Sequence, residues 1–139
     1  MQAPFAIKFL DHVAIRVLDL ERSAQWYETV LGLTRFQTDH WGPFPIFMFA
    51  GKTGVALFPA DPEAPRLTRA QKGVKIDHFA FQVSRTAFEA AQAHFTRLGI
   101  PFVLKDHHFY LACFIEDPDG HQIELNTLTL AEEEFYTWL

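Results

Sequence analysis

The sequence contains little of several features, and each shortage excludes a class of protein. A single cysteine, Cys113, rules out a disulfide within the chain. The 12 Lys and Arg residues form no basic stripe, which argues against binding to nucleic acid. Charged residues, Gly or Pro interrupt every apolar stretch before it reaches membrane-spanning length. The N-terminal segment lacks the basic start and long apolar run of a secretory signal, so we expect a cytoplasmic protein with no membrane partner.

Apolar side chains, by contrast, are plentiful. Hydrophobic residues make up 49% of the 139 residues, and 15 residues are Phe. This length suits one domain, and the composition supplies a buried core with aromatic side chains to spare. We therefore expect a single domain spanning residues 1–139.

One segment of the sequence occurs twice. Residues 10–17, Leu-Asp-His-Val-Ala-Ile-Arg-Val, resemble residues 76–83, Ile-Asp-His-Phe-Ala-Phe-Gln-Val. Both segments alternate apolar residues with others at a period of two, which predicts β-strands. His12 and His78 occupy the third place of their copies, so the chain is predicted to contain two related modules.

A helical pattern follows each predicted strand. Apolar residues recur on one face in residues 20–31 and again in residues 88–98, and Gly32 and Gly99 stand where C-terminal caps belong. Further strands with intervening turns follow each helix, so the order strand, helix, strands occurs twice.

This order predicts the boundaries of the modules. The first module covers about residues 8–58 and the second about residues 74–128. A linker rich in Pro and charge separates them at about residues 59–73, and a tail of residues 129–139 can form a short helix.

Alternation assigns the strand side chains to two faces. Apolar residues such as Val13 and Ile15 are predicted to pack under the helices, whereas His12, His78 and Glu124 fall on the opposite face. If the two modules pair into one curved mixed sheet with helices on the convex face, these three side chains line a single concave surface.

Two imidazoles and one carboxylate form a ligand set that leaves coordination positions open. Such a set suits non-haem Fe(II), and Mn, Ni or Zn can also be accommodated. Open positions allow a substrate to bind through two oxygens while the metal stabilises its negative charge. One His on a strand is more often plain polar surface, and it is the matching places of His12 and His78 that favour a metal site.

The residues around these side chains resemble the vicinal oxygen chelate superfamily, which includes glyoxalase I, extradiol dioxygenases, fosfomycin-resistance enzymes and bleomycin-resistance proteins. The resemblance rests on Leu10-Asp-His12, Ile76-Asp-His78 and the segment Asp117-Pro-Asp-Gly-His-Gln-Ile-Glu124-Leu, and it spans about residues 8–128. It implies an α+β fold of two tandem βαβββ modules, a divalent metal bound by His12, His78 and Glu124 on the concave face, and a small-molecule substrate.

Two positions depart from branches of this superfamily. Glyoxalase I has a fourth ligand, and Ala56, which has no ligating atom, stands where the first module matches Glu124. Extradiol and fosfomycin-transferring enzymes carry a Tyr where this chain has Phe114. Tyr110 lies on the same alternating face four residues earlier, and it can replace that hydroxyl only if the strand brings it near.

Further side chains are candidates for substrate contact or proton transfer. His107 has the spacing of a His that extradiol enzymes place near the metal, and with Tyr110 it is predicted to be catalytic, the alternative being an exposed loop position. Arg16 and Gln82 flank the two His on the same face. They and Phe114 are predicted to contact the substrate, the alternative for Arg16 and Gln82 being ordinary paired polar groups.

The resemblance implies three functions, in order of preference. The first is an extradiol-type dioxygenase in which a diol-like substrate chelates Fe(II). The second is a glyoxalase-like lyase or isomerase, and the third is a drug-sequestering protein like the bleomycin-resistance proteins, which lack the metal triad. We also expect a homodimer, because family members of this size are often dimers and the aromatic tail residues Phe135, Tyr136 and Trp138 would otherwise be partly exposed.

Overall fold

The computed structural model describes residues 3–68 and 70–138 of the chain. Met1, Gln2, Arg69 and Leu139 lie outside the described residues, and with them one position of the predicted linker and the last position of the predicted tail. The chain divides into two compact units, Met1–Ala64 and Pro65–Leu139. This boundary falls inside the predicted linker, so each unit contains one of the predicted modules.

The first unit is a βαβββ module. Its elements are β1 His12–Val17, α1 Leu20–Leu31, β2 Thr34–Phe36, β3 Ile46–Ala50 and β4 Thr53–Pro59. A short 3-10 helix, Asp39–Trp41, connects β2 to β3. The strands form one sheet in the order β1-β4-β3-β2, in which β1 runs parallel to β4 and the other pairs are antiparallel.

The second unit repeats this order of elements. They are β5 Phe79–Gln82, α2 Arg85–Leu98, β6 Val103–Asp106, β7 Tyr110–Glu116 and β8 Gln122–Leu128, followed by the tail helix α3 Glu132–Tyr136. The sheet order is β5-β8-β7-β6, with β5 parallel to β8. The predicted α+β fold of two tandem βαβββ modules is confirmed. The joining of the two sheets into one curved sheet stays a prediction, as does the single domain.

Local sequence explains where the two long helices begin and end. Asp19 accepts a hydrogen bond from the backbone N–H of Arg22 at 3.0 Å, which satisfies one of the free donors at the start of α1. At the other end Gly32 adopts a left-handed conformation with φ of 66°, which a residue with a Cβ adopts only at a cost. Ser84 and Gly99 hold the same two places on α2.

Each sheet buries one face under its helix. On β1 the alternation is as predicted, because Ile15 and Val17 are buried whereas His12 and Arg16 are exposed. Helix α1 packs on β2, β3 and β4, and α2 packs on β8. The faces that carry His12 and His78 are therefore left free of their own helices. Of the helices in the described ranges, none has the length and apolarity needed to cross a membrane.

Cys113 lies in the buried layer of β7, with none of its surface exposed, and burial raises the pKa of its thiol to about 11. An ordinary cysteine has a pKa of about 8.5, so at pH 8 the native thiolate fraction is lower by roughly two orders of magnitude. We expect iodoacetamide to label the native protein at least about a hundredfold more slowly than the urea-unfolded chain. Equal rates in the two states would show that β7 does not bury this residue.

Candidate metal centre

Strand pairing places Glu124 beside His78. His78 directly precedes β5, and Ala80, two residues later, pairs with Glu124 of β8. Residues on one strand that are two apart share a face, so His78 and Glu124 lie on the same side of the sheet. Glu124 is also directly opposite Phe114 of β7.

The same register in the first unit identifies the counterpart of Glu124. Ala14 follows His12 by two residues and pairs with Ala56 of β4. Ala56 is therefore structurally equivalent to Glu124, as the sequence predicts. Because alanine has no ligating atom, the first sheet contributes one predicted ligand and the second sheet contributes two.

Each predicted His ligand is held by the aspartate that precedes it. The Nδ1 of His12 lies 2.8 Å from Oδ2 of Asp11, and the Nδ1 of His78 lies 2.8 Å from Oδ2 of Asp77. An ionised carboxylate only accepts hydrogen bonds, so in a neutral imidazole Nδ1 is the nitrogen that carries the proton and Nε2 is the one that keeps its lone pair. The hydrogen bond from His78 is the main reason that the pKa of Asp77 is lowered. A carboxylate on one ring nitrogen is the usual support of a metal-binding His.

Glu124 is a buried carboxylate with few partners. Its side chain is 6% exposed, and its Oε1 lies 3.5 Å from Nε2 of His78. Its Oε2 accepts a hydrogen bond of 2.7 Å from Nδ2 of Asn126. A buried carboxylate is costly unless a cation or several donors compensate its charge. A metal ion bound by Oε1 and Nε2 would supply that compensation, so the donor set fits a divalent cation.

The third predicted ligand, His12, belongs to the first unit. In the described part of the chain, no group of three or more His, Cys, Asp or Glu side chains comes together as a metal site. The structure thus brings together two of the predicted ligands, His78 and Glu124, and the three-residue site stays a prediction.

The turn before β8 is built by the Asp-Pro-Asp-Gly motif. Asp117 is buried, and its Oδ1 accepts hydrogen bonds of 2.9 Å from the backbone N–H groups of Asp119 and His121. Gly120 has a φ of 90°, which favours glycine over any other residue. This motif therefore fixes where β8 begins, and with it the face on which Glu124 lies.

Phe114 lies next to both His78 and Glu124 in the second unit. Its ring meets that of His78 edge to face, with 5.4 Å between the centroids. The Nζ of Lys105, from the neighbouring β6, lies 5.4 Å from the centroid of Phe114. Lys105 therefore places an exposed positive charge on the ligand-bearing face, and it is also one of the charges that lower the pKa of Asp77.

The corresponding face of the first unit is aromatic. Phe47 pairs with Ala56 and is thus the counterpart of Phe114, and it meets His12 edge to face at 5.1 Å. Phe47 stacks on Phe49 at 4.9 Å and contacts Trp41 at 5.8 Å. These aromatic side chains form an apolar wall on the face that carries His12.

The structure places the predicted catalytic residues at the far end of β7. Tyr110 pairs with Leu128. It is four residues from Phe114 on β7, and four residues span roughly 13 Å along a strand. Its ring stacks on His107 at 4.8 Å, and His107 lies in the exposed turn between β6 and β7. Within the second unit neither side chain is next to Glu124, so their catalytic role stays a prediction with no support from this geometry.

Arg16 and Gln82, predicted to contact substrate, have protein partners. Arg16 donates to the backbone oxygen of Pro59 at 3.1 Å, and its guanidinium lies 5.4 Å from the ring centroid of Phe58. Gln82 donates to the hydroxyl of Tyr136 in α3 at 3.3 Å. Both residues remain exposed on the ligand-bearing faces.

Two side chains near the ligand pair were not predicted from sequence to act at the site. Alternation along β8 places Asn126 on the same face as Glu124, but the hydrogen bond between them depends on a rotamer that alternation does not specify. Lys105 lies on a short strand for which the sequence gives no periodic signal.

The fold is that of the superfamily which the sequence resembles, and comparison with known proteins agrees. Residues 9–125 match the model of the Glyoxalase/Bleomycin resistance protein/Dioxygenase superfamily, and the chain belongs to this family.

The individual relatives share only low sequence identity with this chain. The chain is similar to a protein of Serratia marcescens named glutathione transferase FosA, with 26% identity over 90% of this chain and 84% of that one. A glyoxalase/dioxygenase structure from Nostoc punctiforme aligns with a TM-score of 0.77, at 22% identity over 94% of this chain and 97% of the other. The structure of the fosfomycin resistance protein FosX from Mesorhizobium loti aligns with a TM-score of 0.65, at 24% identity over 93% and 99%. These two structures are evidence for the fold.

Proposed function

We propose that this chain is a metal-dependent enzyme whose small-molecule substrate binds through two oxygens to a divalent metal held by His12, His78 and Glu124. The observation that carries the proposal is the pair formed by His78 and Glu124. Nε2 of His78 faces the buried Oε1 of Glu124 at 3.5 Å, and Asp77 holds the opposite ring nitrogen. His12 has the same support from Asp11. A sequestering protein without a metal would not need this arrangement.

The metal supplies Lewis acidity, which stabilises negative charge on substrate oxygens. The chain itself contributes the orientation of the ligands and the charge around them. Asp77 fixes the ring of His78, and Phe114 packs against that ring and keeps water from one side of it. Lys105 provides a cation on the same face, which favours a substrate with an anionic group.

A glutathione-dependent reaction is the first candidate. The relative from Serratia marcescens is named a glutathione transferase, and the exposed Lys105 suits an anionic substrate. Ala56 in place of a fourth ligand favours transfer over the glyoxalase-type isomerisation. Extradiol ring cleavage with Fe(II), the preferred function from sequence, is the second candidate, because the name of that relative points to transfer. The missing hydroxyl at Phe114 and the position of Tyr110 far along the strand count equally against both candidates.

These two candidates and the isomerase alternative are tested on the purified chain loaded in turn with Fe(II), Mn, Ni or Zn. We expect one metal ion per chain. We also expect glutathione to react with fosfomycin, and the loss of free thiol measures this reaction. Catechol cleavage under air with Fe(II) would instead support the second candidate, and formation of lactoylglutathione from methylglyoxal and glutathione would support the isomerase. A chain that retains none of the four metals after gel filtration would refute the metal-dependent function altogether.

A further inference from the structure

The two oxygens of the Glu124 carboxylate have different partners. Oε2 accepts a hydrogen bond from the side-chain amide of Asn126 at 2.7 Å, whereas Oε1 lies 3.5 Å from Nε2 of His78. Glu124 and Asn126 are two residues apart on β8, so both side chains lie on the same face of the sheet, the ligand-bearing face. A short hydrogen bond to one oxygen removes the freedom of the carboxylate to rotate.

Chemistry fixes the orientation of the Asn126 amide. A carboxylate can only accept, so the amide must turn its NH2 group towards Glu124. The contact is half-buried, and a hydrogen bond to a charged acceptor is stronger there than in water. Asn126 also lies directly opposite Gln82 and Ala112 on the neighbouring strands, which limits the space in which its side chain can move.

We propose that Asn126 is a positioning residue: it holds Oε2 of Glu124 and thereby keeps Oε1 directed at Nε2 of His78, where a metal is bound. The inference rests on the proposed function, because it assigns Asn126 a role towards the metal ligands. Nothing in the contact requires Asn126 to touch metal or substrate itself. Its effect is on how well the free carboxylate is arranged before the metal arrives.

The test is Mn²⁺ binding to the full chain, measured by calorimetry without substrate. Asn126→Leu keeps a similar volume but cannot donate a hydrogen bond. We expect its Kd for Mn²⁺ to rise at least about tenfold, as for other outer partners of metal ligands. The melting temperature of the metal-free variant should stay close to that of wild type. With Co²⁺ in place of Mn²⁺, the visible absorption bands of the variant should shift. Asn126→Ala provides the same comparison if the leucine variant does not fold.

Gln122→Leu is the matched control. Gln122 lies on the same strand and face, two residues from Glu124 on the other side, and is also half-buried. Its substitution removes an amide of the same kind but not the hydrogen bond to Oε2, so we expect a change in Kd of less than about twofold. Wild-type Kd and spectrum in Asn126→Leu, or equal weakening in Gln122→Leu, would overturn the positioning role.

Glu124→Ala separates this proposal from the one on which it depends. If Glu124→Ala binds Mn²⁺ as wild type does, the metal site itself is wrong. If Glu124→Ala loses the metal and Asn126→Leu keeps it, only the role of Asn126 is wrong.

Discussion

Glu124→Ala is expected to abolish metal binding while leaving the metal-free protein folded. The substitution removes the only carboxylate of the proposed site and its negative charge. The loss of affinity should exceed the 10–100-fold that follows from removing an outer hydrogen-bond partner. The buried faces of Ile123 and Leu125 on either side are not changed. Because the carboxylate is 6% exposed and has one short hydrogen bond, its removal also relieves a costly buried charge. We therefore expect a shift of less than about 1 kcal/mol in the unfolding free energy of the metal-free chain.

The measurement is metal content per chain after gel filtration, together with turnover and thermal melting. His121→Ala serves as the control, since His121 lies three residues away in the turn before β8. Its backbone N–H, which donates to Asp117 at 2.9 Å, survives the substitution. The His121→Ala protein should retain metal, whereas the Glu124→Ala protein should not. A Glu124→Ala protein with full metal content would eliminate the three-ligand site and the function built on it.

The repeat made most of the fold predictable. Two segments with the same alternation and two helical stretches ending in Gly specify β1, β5, α1 and α2, and the caps at Gly32 and Gly99 are confirmed. These signals are strong because buried apolar faces require a period of two in strands and 3.6 in helices. The match of Ala56 with Glu124 follows from the same repeat and is borne out by the strand register.

Two short strands and one helix cap could not be located in this way. Strands β2 and β6 have three and four residues and bury none of them fully, so they are too short and too exposed to show a period of two. Thr86 and Glu89 have the spacing of a capping box, but they do not cap α2. The cap of α2 is Ser84, whose side chain accepts from the N–H of Ala87 at 3.1 Å.

The nearness of His78 to Glu124 was predictable, and the surroundings of this pair were not. Residue type and matching position selected His78 and Glu124, which the structure brings together. Alternation alone gave Tyr110 and Phe114 one face but did not rank them by distance, and only the register places Phe114 opposite Glu124. The partners of Glu124 depend on rotamers and cross-strand neighbours, which is why the role of Asn126 appears only in three dimensions.

Gly54→Ala is expected to have the largest effect on stability. Gly54 lies on β4 between β1 and β3, opposite His12 and Phe49. A Cβ at this position would collide with the backbone oxygen of Met48 and come within 3.2 Å of the Cα of Phe49. Both atoms belong to the backbone of a paired strand, so neither can move without breaking the sheet. Overpacking of this kind costs about 3 kcal/mol or more, at the upper end of its usual range.

Gly51→Ala, in the turn between β3 and β4, provides the comparison. Gly51 has a φ of 63°, and a Cβ there would meet no atom within 4 Å, so its substitution should cost only about 1 kcal/mol of backbone strain. Urea unfolding followed by the fluorescence of Trp26 and Trp41 in a Trp138→Phe background reports on the first unit alone. A Gly54→Ala midpoint equal to or above that of Gly51→Ala would show that the close approach of β3 and β4 is absent. The expected result, a first unit that unfolds at far lower urea, would mean that the strand facing His12 accepts no side chain at this position.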